Sequence, residues 1–324
     1  MKFYLYPLQK IEYRIGWDYD TFFFKRWYRE AYSALLQHPN RINDPEKADF
    51  FVVSFTLMCL SFVGLNKQDL EQRLLKLPYW NDGHKHVVFD FTDNAHSIYS
   101  NHNVAVFKSA FSKASYNPTK DVSIPQFPRY RFTKEMVDQY SQQKNKLISF
   151  KGHPRKGHNP IRDQLFPMNN EQDVFIQEFS NKPTDFEFKL DKVMTITPSD
   201  DPMSYLNLLF HSRFSLLPRG NGCALSYRHL EAMNVGSIPV IISDNYQLPF
   251  SEVIDWESCS IRVPENEVLK LVEIVKEQLL QEDSLRQNVE QVFQQYFSST
   301  EAIINTALDI YITKLKAQKD MKIV

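Results

Sequence analysis

The chain has 324 residues, of which 43% are hydrophobic and 14% aromatic, too long for one ordinary core and too rich in core material for long disorder. Lys and Arg number 38 against 39 Asp and Glu, a formal charge of −1. That balance excludes a nucleic-acid binder resting on bulk phosphate attraction, and no apolar run reaches the roughly 20 residues of a membrane span.

The first half alternates strand-like and helix-like segments. Phe3–Tyr6 is a short apolar run, and Asp20 is placed to cap a helix over Thr21–Gln37. Asp49–Phe55 and His86–Phe91 are continuous, β-branched and aromatic, the pattern of strands buried on both faces of a parallel sheet. Gln68–Leu77 reads as the helix between them, and Val104–Phe107 and Asp121–Ile124 as two more strands. A Pro-rich stretch, Pro125–Pro128, and a polar helix over Thr133–Gln143 follow, and the domain junction is expected there. The second half restarts with a strand at Lys146–Phe150 and a basic turn over Lys151–His158. Strands at Asp173–Glu178 and Val193–Thr197 come next, then a helix capped by Asp200. Phe214–Leu217, a Gly-containing turn, a helix over Leu225–Asn234 and Ser237–Ile242 make one strand–loop–helix–strand unit, and three helices follow over roughly Glu265–Gln281, Asp283–Tyr296 and Thr300–Lys314. The expected fold class is α/β, with two doubly wound Rossmann-like domains facing a cleft. The expected divisions are 1–143, 144–298, and a C-terminal helix at 299–324 packing back on the first domain. Cys59, Cys223 and Cys259 are widely spaced and match no zinc pattern, so neither a disulfide framework nor a structural zinc organises the chain.

The chemistry concentrates between Phe214 and Ile242. Gly220 and Gly222 let the backbone turn closely after Pro218, and a helix begins near Ser226, an arrangement suited to an anion such as a pyrophosphate. Arg219 and Arg228 flank that start and can give charge-assisted contacts to phosphate, while Glu231 lies one turn after Arg228. A plain turn with a surface Arg–Glu pair is the competing reading of these residues, because short glycine motifs recur by chance.

Further motifs decide between the two readings. Ser237-Ile-Pro-Val-Ile-Ile-Ser-Asp-Asn-Tyr-Gln-Leu-Pro-Phe-Ser-Glu-Val-Ile-Asp-Trp256 resembles the signature of the exostosin family, glycosyltransferase family 47. Leu147–Gly152, Phe214–Gly220, Arg228–Ala232 and Gln295–Ser299 resemble other family motifs, as do Tyr4–Tyr6, Asp44–Phe51 and Asp121–Pro125, all in the family's order. The resemblance implies a two-domain glycosyltransferase of the open-cleft B type, inverting, with the C-terminal domain binding a UDP-sugar and the other a glycan acceptor. It places Arg219 and Arg228 near the diphosphate, with Gly220 and Ser226 beside them, and Glu231 on the ribose. Asp244 and Asn245, with Leu248 and Pro249, would line the loop that touches the sugar or its phosphate. Animal heparan-type members carry additional arginines after Pro-Arg-Gly, where this chain has Asn221-Gly222-Cys223. A neutral donor, xylose or galactose, is therefore favoured over glucuronic acid. The catalytic base does not transfer by motif. Asp93 and His96, just after the strand at 86–91, are the first candidates, each set against an ordinary turn residue or cap. Arg155 or Lys156 in the basic turn could reach the donor phosphates, and a solvated turn reads as well. No Asp-x-Asp pattern or three-ligand set appears, so no obligatory metal or other cofactor is expected. The alternative function is a catalytically silent glycan-binding or scaffold member of a glycosyltransferase complex. A homo- or hetero-dimer is left open. No nucleic acid or membrane span is expected, and the location is cytoplasmic, or the Golgi lumen if an anchor precedes Met1.

Overall fold

The computed structural model describes residues 1–7, 23–53, 67–91, 99, 102–141, 144–153, 160–178, 204–220 and 222–321. The chain divides into two compact units. Unit 1 comprises Met1–Pro125, Gln247–Val253 and Ser299–Val324; unit 2 comprises Gln126–Tyr246 and Ile254–Ser298.

In unit 1, β1 (Phe3–Leu5), α1 (Phe23–Gln37), β2 (Arg41–Ile42), β3 (Phe50–Val52), α2 (Lys67–Leu75), β4 (His86–Asp90), β5 (Ala105–Lys108) and β6 (Val122–Ser123) follow in order. Six strands form one sheet in the order β2-β1-β3-β4-β5-β6, every described pairing parallel. The continuous apolar runs form its centre because a parallel strand needs both faces covered: all five residues of β4 and all four of β5 are buried. One face packs Tyr6, Phe51, Val88, Val106 and Phe111 against Leu74, Leu77 and Trp80. The two-residue edge strand β2 gave no signal in the sequence.

In unit 2, α3 (Lys134–Tyr140) is capped by Thr133, whose side chain accepts from Met136 N. Then come β7 (Lys146–Gly152), α4 (Pro160–Leu165), β8 (Val174–Glu178), α5 (Tyr205–His211), β9 (Ser212–Pro218), α6 (Arg228–Asn234), β10 (Ile238–Ile242), β11 (Ile261–Arg262), α7 (Leu271–Glu277) and α8 (Glu282–Val292). The second sheet is also parallel, in the order β11-β10-β9-β7-β8. Helices α5, α6 and α8 pack on β7, β9 and β10. The chain is thus α/β, built on two parallel sheets. The Val193–Thr197 strand and the Asp200 cap lie outside the described residues. Helix α4 was missed, and the single long helix expected over 265–281 is two short 3-10 segments flanking α7.

The long α9 (Thr300–Met321) belongs to unit 1, packing on α1 and β6. Lys314 Nζ donates to Tyr116 Oη at 2.8 Å and to Glu252 Oε1 at 2.6 Å. The 247–253 segment is joined to the end of the first sheet by Gln247 N to Phe111 O (3.0 Å), Phe250 N to Ser123 O (2.9 Å) and Ser123 Oγ to Gln247 O (2.7 Å). Among the described residues, no helix is long and apolar enough to cross a membrane.

Candidate functional site

Two side-chain clusters form near the carboxyl ends of β7 and β9, where ligands meet an open parallel sheet. The first is built on Arg219. Its Nε donates to Glu265 Oε1 at 2.9 Å, and the same oxygen accepts from Asp244 N at 3.2 Å. Asp244 returns the contact by accepting from Glu265 N at 3.2 Å. The Asp244 loop and the Arg219 loop are thereby locked through Glu265, a residue the sequence analysis did not single out. Arg219 is about a fifth exposed in its side chain, and Asp244 and Asn245 are exposed.

Gly220 sits beside this cluster, its N–H donating to Ala224 O at 2.9 Å. The close turn expected here forms, but it does not require a glycine at 220. A Cβ at this position would meet only Ala224 O, at an ordinary 3.7 Å, and the backbone is not in the left-handed region. Gly152 is different: a Cβ there would fall 2.4 Å from the Phe150 ring. The ring lies directly over that glycine, which is why β7 ends Phe-Lys-Gly.

The second cluster surrounds Arg228. The helix expected to start near Ser226 starts at Arg228 and is seven residues long, so the charged side chains rather than a long helix dipole carry the case for an anion. Ser226 is half-buried, and its Oγ accepts from Arg228 N at 3.4 Å. The Arg228 guanidinium lies 5.3 Å from the Phe150 ring centroid and 5.6 Å from that of Tyr205, so two aromatic faces support it. Arg162 of α4 reaches the same Phe150 ring at 5.9 Å and donates to His153 O at 3.4 Å. The next residue of α6, His229, is fully buried, its Nδ1 donating to Ser226 O at 2.7 Å. Burial lowers its pKa to about 4, so the ring is neutral at pH 7.

Glu231 is fully buried. One carboxylate oxygen accepts from Arg129 N at 2.8 Å and Tyr130 N at 3.1 Å, and the other accepts from the Tyr205 hydroxyl. The sequence expectation puts this carboxylate on the ribose of a donor. The structure turns it inward, onto the 129–130 backbone and α5, because Glu231 lies on the face of α6 that packs against them. Burial raises its pKa to about 7, against the pull of Tyr205, Tyr130, Arg129 and Arg228. An acid whose folded pKa lies above its unfolded 4.5 makes the folded state hold more protons across that window. Stability therefore falls as pH rises from 4.5 to about 7, by about 1.4 kcal/mol per unit of separation. Glu231→Gln, which keeps an acceptor for both N–H groups, is expected to flatten this decline. Urea unfolding midpoints at half-unit pH steps measure it, and an unchanged slope would show that Glu231 does not titrate there.

The candidate bases Asp93 and His96, and Arg155 in the basic turn, lie outside the described residues. Asp90, at the end of β4, opens the stretch holding both base candidates. It is fully buried and pairs with Lys108 Nζ at 3.0 Å across the β4–β5 register. Leu248 and Pro249, expected with Asp244 and Asn245 on the donor loop, are buried and belong to unit 1. Cys223 and Cys259 are buried, and Cys59 lies outside the described residues. Among the described residues, no three His, Cys, Asp or Glu side chains are grouped to hold a metal.

The Exostosin GT47 domain model matches residues 1–278. Exostosin-1 of Drosophila melanogaster is 29% identical over 310 residues, covering 89% of this chain and 40% of its own length. The Exostosin-1 homolog of Caenorhabditis elegans is 26% identical over 319 residues, covering 88% of this chain and 81% of its own. Exostosin-1a of Danio rerio is 27% identical, covering 95% and 43%. The chain thus spans about two fifths of the length of the fly and zebrafish relatives. Among solved structures, HepE of Anabaena in complex with UDP and glucose is similar at 11% identity and TM-score 0.42, over 84% of this chain and 78% of that one. Sucrose-phosphate synthase of Thermosynechococcus elongatus is similar at 13% identity and TM-score 0.43, over 83% and 74%. With the family model matched across both sheets, the chain belongs to the exostosin family, glycosyltransferase family 47.

Proposed function

We propose that the chain is an inverting glycosyltransferase of the two-domain B type that moves a sugar from UDP to a hydroxyl of a glycan acceptor, forming a β-glycoside. The observation that carries this reading is the Arg228 guanidinium near the strand ends of unit 2, lying over the rings of Phe150 and Tyr205. A planar cation held on aromatic faces suits a departing diphosphate, whose charge grows as the glycosidic bond breaks. Arg219, with Gly220 and Ser226 beside it, would bind on the same side, and Asp244 and Asn245 would meet the sugar. The open space at Gly220 supports a close approach of ligand to backbone, since the fold itself does not require a glycine there. The acceptor hydroxyl loses its proton to a base, for which Asp93 and His96 are the candidates, and attacks the anomeric carbon as UDP leaves. The site would need no metal, because guanidinium groups supply the charge. Asn221-Gly222-Cys223, replacing arginines of heparan-type members, favours xylose or galactose over glucuronic acid.

Thermal denaturation of the whole chain with UDP and a panel of UDP-sugars, with and without chelator, tests the reading, followed by donor hydrolysis. A rise in Tm of several degrees with UDP and one UDP-sugar, insensitive to chelator, is expected. A flat response at millimolar ligand would overturn the donor site and favour the catalytically silent, glycan-binding form.

A further inference from the structure

A third guanidinium joins the Arg228 cluster from a segment that no motif marks. Arg129 immediately follows the Pro-rich stretch after β6, and its guanidinium lies over the Tyr227 ring, 4.3 Å from the centroid. Tyr227 immediately precedes Arg228 in the chain. The backbone at 129–130 is fixed by Glu231, whose buried carboxylate takes the N–H groups of both Arg129 and Tyr130. Phe132 N, donating to Asn234 Oδ1 at 2.9 Å, adds a second tie to α6. Burial raises the Tyr227 pKa, and Arg228, Arg129 and Arg162 all pull it back. Arg162 and Arg228 lie over the one Phe150 ring, at 5.9 and 5.3 Å from its centroid, and Arg129 lies over the ring of the residue next to Arg228.

We infer that Arg129 is an anion-binding residue of this site, held in place by Glu231, and that Arg129, Arg162 and Arg228 together form a receptor for a diphosphate. The inference deepens the proposed function and rests on it for the identity of the natural ligand. Its own content is narrower: the receptor recognises the diphosphate by charge, and one of its members comes from the stretch following β6. A diphosphate fits better than a single carboxylate because it offers several oxygens spread over two phosphorus centres, matching several planar donors. Glu231 acts through Arg129 and is a positioning residue.

The probe is inorganic pyrophosphate, titrated calorimetrically into the whole chain at two salt concentrations, with UDP and uridine titrated separately. Wild type is expected to bind pyrophosphate, and Arg129→Gln to bind it about tenfold more weakly, the loss of one charge-assisted contact. Arg129→Gln should also show a shallower salt dependence, while Tm stays within a few degrees of wild type. Arg129→Lys, which keeps the charge without the planar stack, should recover part of the affinity. Glu231→Gln, whose acceptor still holds the 129–130 backbone, should bind pyrophosphate close to wild type, whereas Glu231→Ala should weaken it as Arg129→Gln does. Undiminished pyrophosphate binding by a folded Arg129→Gln, or no binding by wild type, would overturn the inference. Pyrophosphate binding in wild type without UDP binding would leave the receptor standing and overturn the UDP-sugar reading alone.

Discussion

Lys108→Met is expected to destabilise unit 1 by about 3–5 kcal/mol, because it leaves the Asp90 carboxylate buried without its cation. Both side chains of this pair are wholly inaccessible, 3.0 Å apart across neighbouring parallel strands. Water cannot replace the lost partner, so the cost exceeds that of any surface pair. For a unit of this size the loss corresponds to a fall in Tm of roughly 10 °C or more. The double variant Asp90→Leu/Lys108→Met removes both charges and is expected to recover most of the loss, since an apolar pair of similar volume needs no solvation. Thermal melts of the three proteins decide the matter. An unchanged melting point in Lys108→Met would show that the Asp90–Lys108 pair does not hold unit 1 together. The pair sits where β4 hands over to the stretch carrying both base candidates, so its loss should also lower turnover at temperatures where the variant remains folded.

Arg228→Ala is expected to lower kcat/KM by about 100-fold or more, the scale found when one preorganised donor to a developing anion is removed. Arg228→Lys should recover little. A lysine carries the charge, but it has no planar face to lie on Phe150 and Tyr205 and no bidentate fork for phosphate oxygens. The measurement is steady-state turnover with the UDP-sugar that gives the largest thermal shift, beside a calorimetric UDP affinity for each variant. Normal turnover in Arg228→Ala would sink the diphosphate assignment. A variant that unfolds would be told apart by its melting curve.

The central strands were legible because burial on both faces forces continuous apolar runs: residues 50–52, 86–90 and 105–107 all lie inside expected strands, and β5 runs one residue further, to Lys108. The two-residue strands β2 and β11 were not read, whereas β6, equally short, falls inside the strand read at Asp121–Ile124. Helix α4 was hidden behind a run of Pro, Gly, Lys and His at 151–160, which reads as turn by composition. In the candidate site, Arg219, Arg228 and Glu231 came from a motif, but which way each points did not. Arg228 and Glu231 lie three residues apart, on neighbouring faces of one helix, yet one rests on aromatic rings while the other grips a backbone segment a hundred residues earlier. Arg129, Arg162, Tyr205 and Glu265 were missed for a shared reason. They come from separate segments, and only folding makes them neighbours of the motif. Gly152 was legible as a glycine but not for its cause, since the need arises from the Phe150 ring two residues before it.

The composition of unit 1 from three stretches of chain sets an order of assembly. Unit 2 has all its residues once Ser298 has left the ribosome, whereas unit 1 must wait for α9. Until then the α9 partners in the first sheet, Phe50 and Phe107 among them, lack the Tyr311 ring that packs edge-on against both. Closing a unit between its first strand and a helix some 300 residues later makes its contacts long-range in sequence, which slows folding and prolongs exposure of apolar surface. The half of the molecule synthesised first is therefore the half that folds last, and its need for chaperones should exceed that of its neighbour.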